Sequence, residues 1–120
     1  MIKTIHLKEK YDLFQDYWNP RIVAELNGQQ IKVVKVKGEL VYHTHEHEDE
    51  LFYVIKGSLK ICFENSEKTI TEGEMLVVPR GIKHKPIAQE ECWLVLFEPS
   101  EIKHTGDKNC EQTVSKFKWI

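Results

Sequence analysis

Three histidines and one glutamate carry the chemistry this sequence can offer. His43-Thr44-His45 closes the run Leu40 to His45, which reads as a strand. Successive side chains of a strand point to opposite faces, so the two imidazoles share one face and Thr44 takes the other. Imidazoles paired in this way suit a divalent transition metal, although an HxH pair alone is also a common surface pattern. The acidic stretch Glu46 to Asp49 is expected to turn the chain, so that Glu50 opens the next strand facing the same space. Glu50 shares its strand face with Phe52 and Val54. A lone carboxylate there would be buried at high cost, and a metal ion removes that cost. Farther on, Met75 to Val78 reads as a strand, and Pro79 and Gly81 set a tight turn that aims His84 back into the same cavity. The expected metal ligands are therefore His43, His45, Glu50 and His84.

Other candidates fit less well. Pairing His47 with His45 leaves only two residues before Glu50. His6 and His104 stand apart from the cluster and read as solvated surface. Lys83 and Lys85 flank His84 on the opposite strand face and are expected in solvent, as is the loop Glu46-His47-Glu48-Asp49. Cys62, Cys92 and Cys110 form no CxxC pair and no disulfide framework; Cys62 and Cys92 sit in apolar runs, where a thiol packs as a small hydrophobe. No separate general base is identifiable near the four ligands.

The elements that must position these residues are short. Apolar stretches Ile22 to Leu26 and Ile31 to Val36 flank Asn27-Gly28, a strong hairpin signal. Leu51 to Ile55, Leu59 to Phe63, Thr69 to Thr71, Met75 to Val78 and Trp93 to Phe97 follow, each rich in β-branched or aromatic residues and bounded by turn formers. The pattern predicts an all-β domain, with one or two helical turns at most within Ile5 to Tyr17. A single domain is expected over residues 1–120, with an N-terminal arm (1–19), a barrel (about 20–99) and a polar, Lys-rich tail (100–120) that Phe117 and Trp119 could tie down. Leu51-Phe52-Tyr53-Val54-Ile55 is apolar on both faces, and so is Trp93 to Phe97. A second sheet, the N-terminal arm or a partner subunit must cover the outer one, and a homodimer is the economical reading.

Composition narrows the partners. With 17 basic and 19 acidic residues, the formal charge of -2 lacks the basic field that nucleic acid requires. No apolar stretch is long enough for a membrane span, and the N-terminus lacks the apolar core of a secretory signal, so a cytoplasmic protein is expected.

Two motifs bring a resemblance into view. His43, His45, Glu50 and Gly57 match HxHxxxxExxxxxxG, with Gly38 one residue closer than the usual opening glycine. Gly73, Pro79, Gly81 and His84 match GxxxxxPxGxxH. In these motifs, and in the later Thr105-Gly106-Asp107, the chain resembles the small single-domain cupins. It departs from the family pattern at Ala88, where an asparagine often stands. The resemblance implies a jelly-roll barrel of two antiparallel sheets. Three imidazoles and a carboxylate around a divalent ion leave a charge of about +1 and open positions that favour a small anionic ligand; Fe, Mn, Ni, Co and Zn all suit the donors. Two functions follow as expectations: a metal-dependent enzyme (dioxygenase or isomerase type) acting on a small organic acid, sugar or enolizable carbonyl compound, or a non-catalytic module that binds or senses a small molecule or metal.

Overall fold

Hydrophobic alternation becomes a β-barrel with two polar interruptions. A computed structural model describes residues 2–99, 106–114 and 116–120. The expectations for His104 and Thr105, and for the start of the tail at Ser100, fall outside these residues. The order is α1 (Leu7–Tyr11), β1 (Arg21–Leu26), β2 (Gln29–Glu39), β3 (Glu50–Lys56), β4 (Ser58–Cys62), β5 (Glu67–Thr71), β6 (Met75–Val78), β7 (Lys85–Pro99) and β8 (Lys118–Trp119). The all-β reading holds, and α1 provides the short helical turn expected within the N-terminal arm.

Strand β7 organises the fold. Along one edge it pairs with β2 from Gln29 opposite Pro99 to Glu39 opposite Ile87. Its other edge takes β4 near Lys85 to Ile87, then β3 from Trp93 to Phe97. Strands β5 and β6 extend β4 and β3 respectively. A register shift interrupts the β2–β7 pairing between Val36 and Gly38, and Gly38 takes a positive φ of 84° there. The predicted hairpin is present: Asn27 (φ 50°) and Gly28 (φ 76°) both adopt the left-handed conformation that matches the strand twist. One pairing departs from the antiparallel expectation, because β8 joins β1 in parallel and ties the C-terminus to the body.

The motif glycine Gly57 has a steric reason to be glycine. Its φ is 90°, and a Cβ there would meet the Glu91 carbonyl oxygen at 2.8 Å. It lets the β3–β4 turn press against β7 just where β7 exchanges β4 for β3.

Two apolar clusters result. The inner one gathers Val34, Val36, Phe52, Val54, Leu59, Ile61, Val78, Leu94 and Leu96 inside the barrel. The outer one forms under the N-terminal arm, where Tyr11 and Phe14 pack on Val33 and Trp93, with Ile55 alongside. Tyr11 stacks on Trp93 at 4.6 Å between ring centroids, and its hydroxyl donates to the Leu94 carbonyl. The arm therefore covers part of the outer face that the sequence left open. Leu51 and Tyr53 are half-buried, and beside them on β6 Met75 and Val77 stay more than half exposed. Burial agrees with the hydrophobe reading of Cys92, whose thiol is pushed up to about 12; Cys62 is half-buried and Cys110 exposed.

Candidate metal centre

The strand expected over Leu40 to His45 does not form. β2 ends at Glu39, and the segment beyond it makes only one isolated bridge, between His43 and His84. That bridge is what aligns the ligands. His43 and His84 exchange both backbone hydrogen bonds at 2.9 Å, and the Gly81 N–H donates to the His45 carbonyl at 2.8 Å. Asp49 adds a third tie by accepting from the Arg80 N–H at 2.9 Å and from Arg80 Nε at 3.3 Å. The Pro79–Ile82 turn differs from the expected one in register. The Pro79 carbonyl accepts from the Ile82 N–H, so Pro79 is the turn's first residue and Gly81 (φ 80°) its third. On its other edge the ligand segment is held by Asp107, which accepts from the Thr44 N–H and returns its own N–H to the Thr44 carbonyl, each at 3.0 Å. A Cβ at Gly106 would meet that carbonyl at 2.5 Å and His43 Cδ2 at 2.9 Å, so this segment lies directly against the ligand loop.

All four predicted residues come together. His43, His45, Glu50 and His84 are buried, and one donor atom from each lies within 4.8 Å of the others. Parity worked as expected, since His43 and His45 turn inward while Thr44 stays half-buried. The imidazoles are held in a definite protonation pattern. Nδ1 of His43 meets the Val41 carbonyl at 2.8 Å and Nδ1 of His84 meets the Ile82 carbonyl at 2.9 Å. A carbonyl only accepts, so both Nδ1 atoms carry a proton and both rings turn Nε2 toward the centre. Glu50 Oε1 lies 3.2 Å from Nε2 of both His45 and His84.

This donor set fits a divalent metal ion. Among the described residues, the buried side-chain nitrogen and oxygen atoms without a hydrogen-bond partner are His43 Nε2, His45 Nε2, Glu48 Oε2 and Glu98 Oε2. Two are imidazole nitrogens of the quartet; His45 Nε2 is near Glu50 without hydrogen-bond alignment. Leaving such atoms unsatisfied costs roughly 1–3 kcal/mol each, a cost that coordination removes.

The electrostatics are uneven. Burial, and then His84, bring His43 down to about 4, so it is neutral near neutral pH. Burial acts the same way on His45 but is outweighed by Glu50, Glu98 and Glu48, which hold it above its ordinary value. Burial would raise Glu50, yet His45 and His84 keep it well below the usual carboxylate range. One consequence concerns metal uptake. His45 keeps its proton until the pH rises through its elevated value, so at pH 6 binding must displace that proton. Metal affinity is expected to fall about tenfold for each pH unit below that point. Calorimetric titration at pH 6 in two buffers of different ionisation enthalpy should register close to one proton released per ion; no release would contradict the arrangement.

The sequence reading missed five contributors. Asp49, placed in an exposed loop, supports the Arg80 turn, and Glu48 in the same loop is half-buried. Lys85, expected in solvent, is half-buried and paired with Glu39. More consequential are Lys32 and Glu98, fully buried inside the barrel. Strand parity was the signal that could have found them: Lys32 alternates with Val34 and Val36, and Glu98 with Leu94 and Leu96. His6 and His47 are exposed, as read.

Comparison with known proteins agrees with this geometry. Residues 30–97 match the family model described as a Cupin domain. A cupin-2 domain containing protein from Shewanella frigidimarina is 46% identical, with a TM-score of 0.79 over 79% of this chain and 93% of that one. The Bacillus subtilis protein YdbB is 30% identical over 80 residues, 66% of this chain and 65% of its own. The 3-hydroxyanthranilate 3,4-dioxygenase of Xenopus laevis is 33% identical over 106 residues, covering 82% of this chain but only 37% of the enzyme.

Proposed function

The chain belongs to the cupin domain family, and from that premise we propose that it is a metal-dependent enzyme of the dioxygenase type acting on a small organic acid or enolizable compound. The observation that carries this reading is the buried quartet His43, His45, Glu50 and His84, whose donor atoms lie within 4.8 Å of one another. Three imidazoles and one carboxylate suit Fe, Mn, Ni, Co or Zn and leave coordination positions for a ligand, and the proposed chemistry calls for a redox-active one of these. A bound ion would supply Lewis acidity and, if redox-active, a path for electrons between substrate and dioxygen. The protein's own part is to hold the donors, orient the ligand and exclude water. Behind Glu50 the barrel narrows to about 20 Å³ of free space walled by Trp18, Val34, Phe52, Leu94 and Leu96. Such an apolar recess suits a molecule the size of dioxygen better than a polar one. The likeness to the Xenopus dioxygenase points the same way, over the part of that enzyme this chain spans.

The tightness of that recess favours one alternative, a module that binds a metal or small ligand without turnover, since a fold hosts many functions. The discriminating experiment loads the protein separately with Fe(II), Mn(II), Ni(II) and Zn(II). Each form is then presented with hydroxy acids, aminophenols, catechols and sugars, recording oxygen uptake and substrate loss. Turnover with one redox-active metal and one compound class supports the enzyme; saturable binding without turnover on every metal supports the module. Among the described residues no helix is long and apolar enough to cross a membrane. The three free thiols suit a reducing, cytoplasmic setting.

A homodimer is part of the proposal. In the sheet register Val77, Leu51 and Phe97 line one row of the outer face and Met75, Tyr53 and Val95 the next, and of these only Val95 packs against the cluster under the N-terminal arm. Light scattering at micromolar concentration should give twice the chain mass, and Val77→Lys with Met75→Lys should return it to the monomer. A wild-type monomer would remove this part of the reading.

A further inference from the structure

The barrel interior holds one charged pair that the quartet does not use. Lys32 and Glu98 have fully buried side chains, with Lys32 Nζ 3.1 Å from Glu98 Oε1. The ring of Phe117 caps the ammonium at 4.0 Å, so the C-terminal segment closes this end. Register places the pair beside the candidate metal centre. Leu51 lies opposite Phe97 and Phe52 opposite Leu96, which puts Glu98 in the next row, alongside Glu50 on the inner face. Glu98 Oε1 is taken by Lys32, whereas Oε2 is buried and has no partner.

A pair with only a structural role would be expected to satisfy both carboxylate oxygens and to avoid another carboxylate, because each unmatched buried charge is costly. This one does neither. Burial first, and then the neighbouring Glu50, hold Glu98 above the usual carboxylate range, outweighing Lys32 and His45, which act for its charge.

Building on the metal-centre reading above, we propose that Glu98, positioned by Lys32, is a ligand-recognition residue whose free oxygen accepts a hydrogen bond from an N–H or O–H group on a metal-chelating ligand. The ligand class narrows accordingly, from any small anion to an oxygen-donor chelator with a hydrogen-bond donor next to its chelating atoms. Lys32 occupies Oε1 and leaves Oε2 as the acceptor. A ligand with a methyl group in place of the donor leaves that oxygen unpaired, and a site built around a hydrogen bond rejects such analogues strongly.

The test uses protein loaded with Co(II) and two probes, acetohydroxamate and N-methylacetohydroxamate, which share their chelating oxygens and differ in one N–H. Binding is read from the visible absorption of cobalt, and cobalt stoichiometry is measured on the same samples. The wild type should prefer acetohydroxamate by about tenfold or more, the scale of a hydrogen bond to a charged group. Lys32→Met/Glu98→Leu, which replaces the pair by apolar residues of similar size, should bind both probes equally. Glu98→Gln, which keeps the shape but offers a neutral acceptor, should fall between. A preference that persists in the double variant, or is absent from the wild type, overturns the proposal. So does loss of cobalt confined to the double variant, which would make the pair a support for the ion. Should the double variant fail to fold, an undiminished preference in Glu98→Gln overturns it. Wild-type protein that takes up no cobalt refutes the metal-centre reading itself, and the recognition role falls with it.

Discussion

Replacing His45 by alanine is expected to lower the affinity for a divalent transition metal by more than about a hundredfold, since loss of a mere outer-sphere partner already costs 10–100-fold. His45 is one of four donors in a site where the Nδ1 contacts of His43 and His84 turn each Nε2 toward the centre. Its removal takes one nitrogen from the chelate and one neighbour from Glu50, which keeps His84 Nε2 at 3.2 Å. The fold should survive. The inner cluster of Val34, Phe52, Val54, Val78, Leu94 and Leu96 does not depend on the imidazole, and burial of that apolar surface supplies most of the folding energy. Circular dichroism and metal content measured on one preparation check both halves. Unfolding would mean that the quartet organises the barrel, and unchanged metal content would remove His45 from the donor set.

The second large effect is on stability. Lys32→Met alone is expected to destabilise the protein by about 3–5 kcal/mol, because it leaves Glu98 buried without its counter-charge. That is a large share of the roughly 5–15 kcal/mol that holds a domain of this size folded. The loss should shrink as pH falls. Burial already raises Glu98 in the wild type, and losing Lys32 raises it further, so the folded variant binds the extra proton and gains relative stability on acidification. Adding Glu98→Leu should recover most of the loss, because apolar replacement of both members of a buried pair is often close to neutral. Urea denaturation of the single and double variants at pH 7 and pH 5 distinguishes these outcomes. A single variant as stable as the wild type would show that water reaches the pair.

Much of the site was legible because the ligands follow two short motifs and because strand parity is a strict rule. His43 and His45 on one side of Thr44, Glu50 in step with Phe52 and Val54, and Asn27-Gly28 at a turn could be read without knowing what they pack against. Other features depended on tertiary partners. Leu40 to His45 has the composition of a strand, but its backbone bonds go to His84, Gly81 and Asp107, all distant in sequence. The first half of β7 carries Pro86, Ala88 and Gln89, which are poor strand formers, and is held by β2 and β4. Lys32 and Lys35 belong to no motif, and their partners show only in the fold: Glu98 receives the first and the Phe14 carbonyl the second at 2.8 Å. Parity puts Lys32 on the inner face, but the partner that makes a buried lysine tolerable lies 66 residues away.

X-ray absorption at the metal edge, on protein loaded with one equivalent of Fe(II) or Co(II), tests the central claim most directly. The account predicts a first shell of nitrogen and oxygen at about 2.0–2.2 Å, with the outer-shell scattering of three imidazoles. In the Glu50→Gln variant, weaker binding should leave the imidazole signal intact in whatever ion remains. A shell of sulfur near 2.3 Å, or of water oxygens without imidazole, would place the ion elsewhere and contradict the assignment of His43, His45, Glu50 and His84.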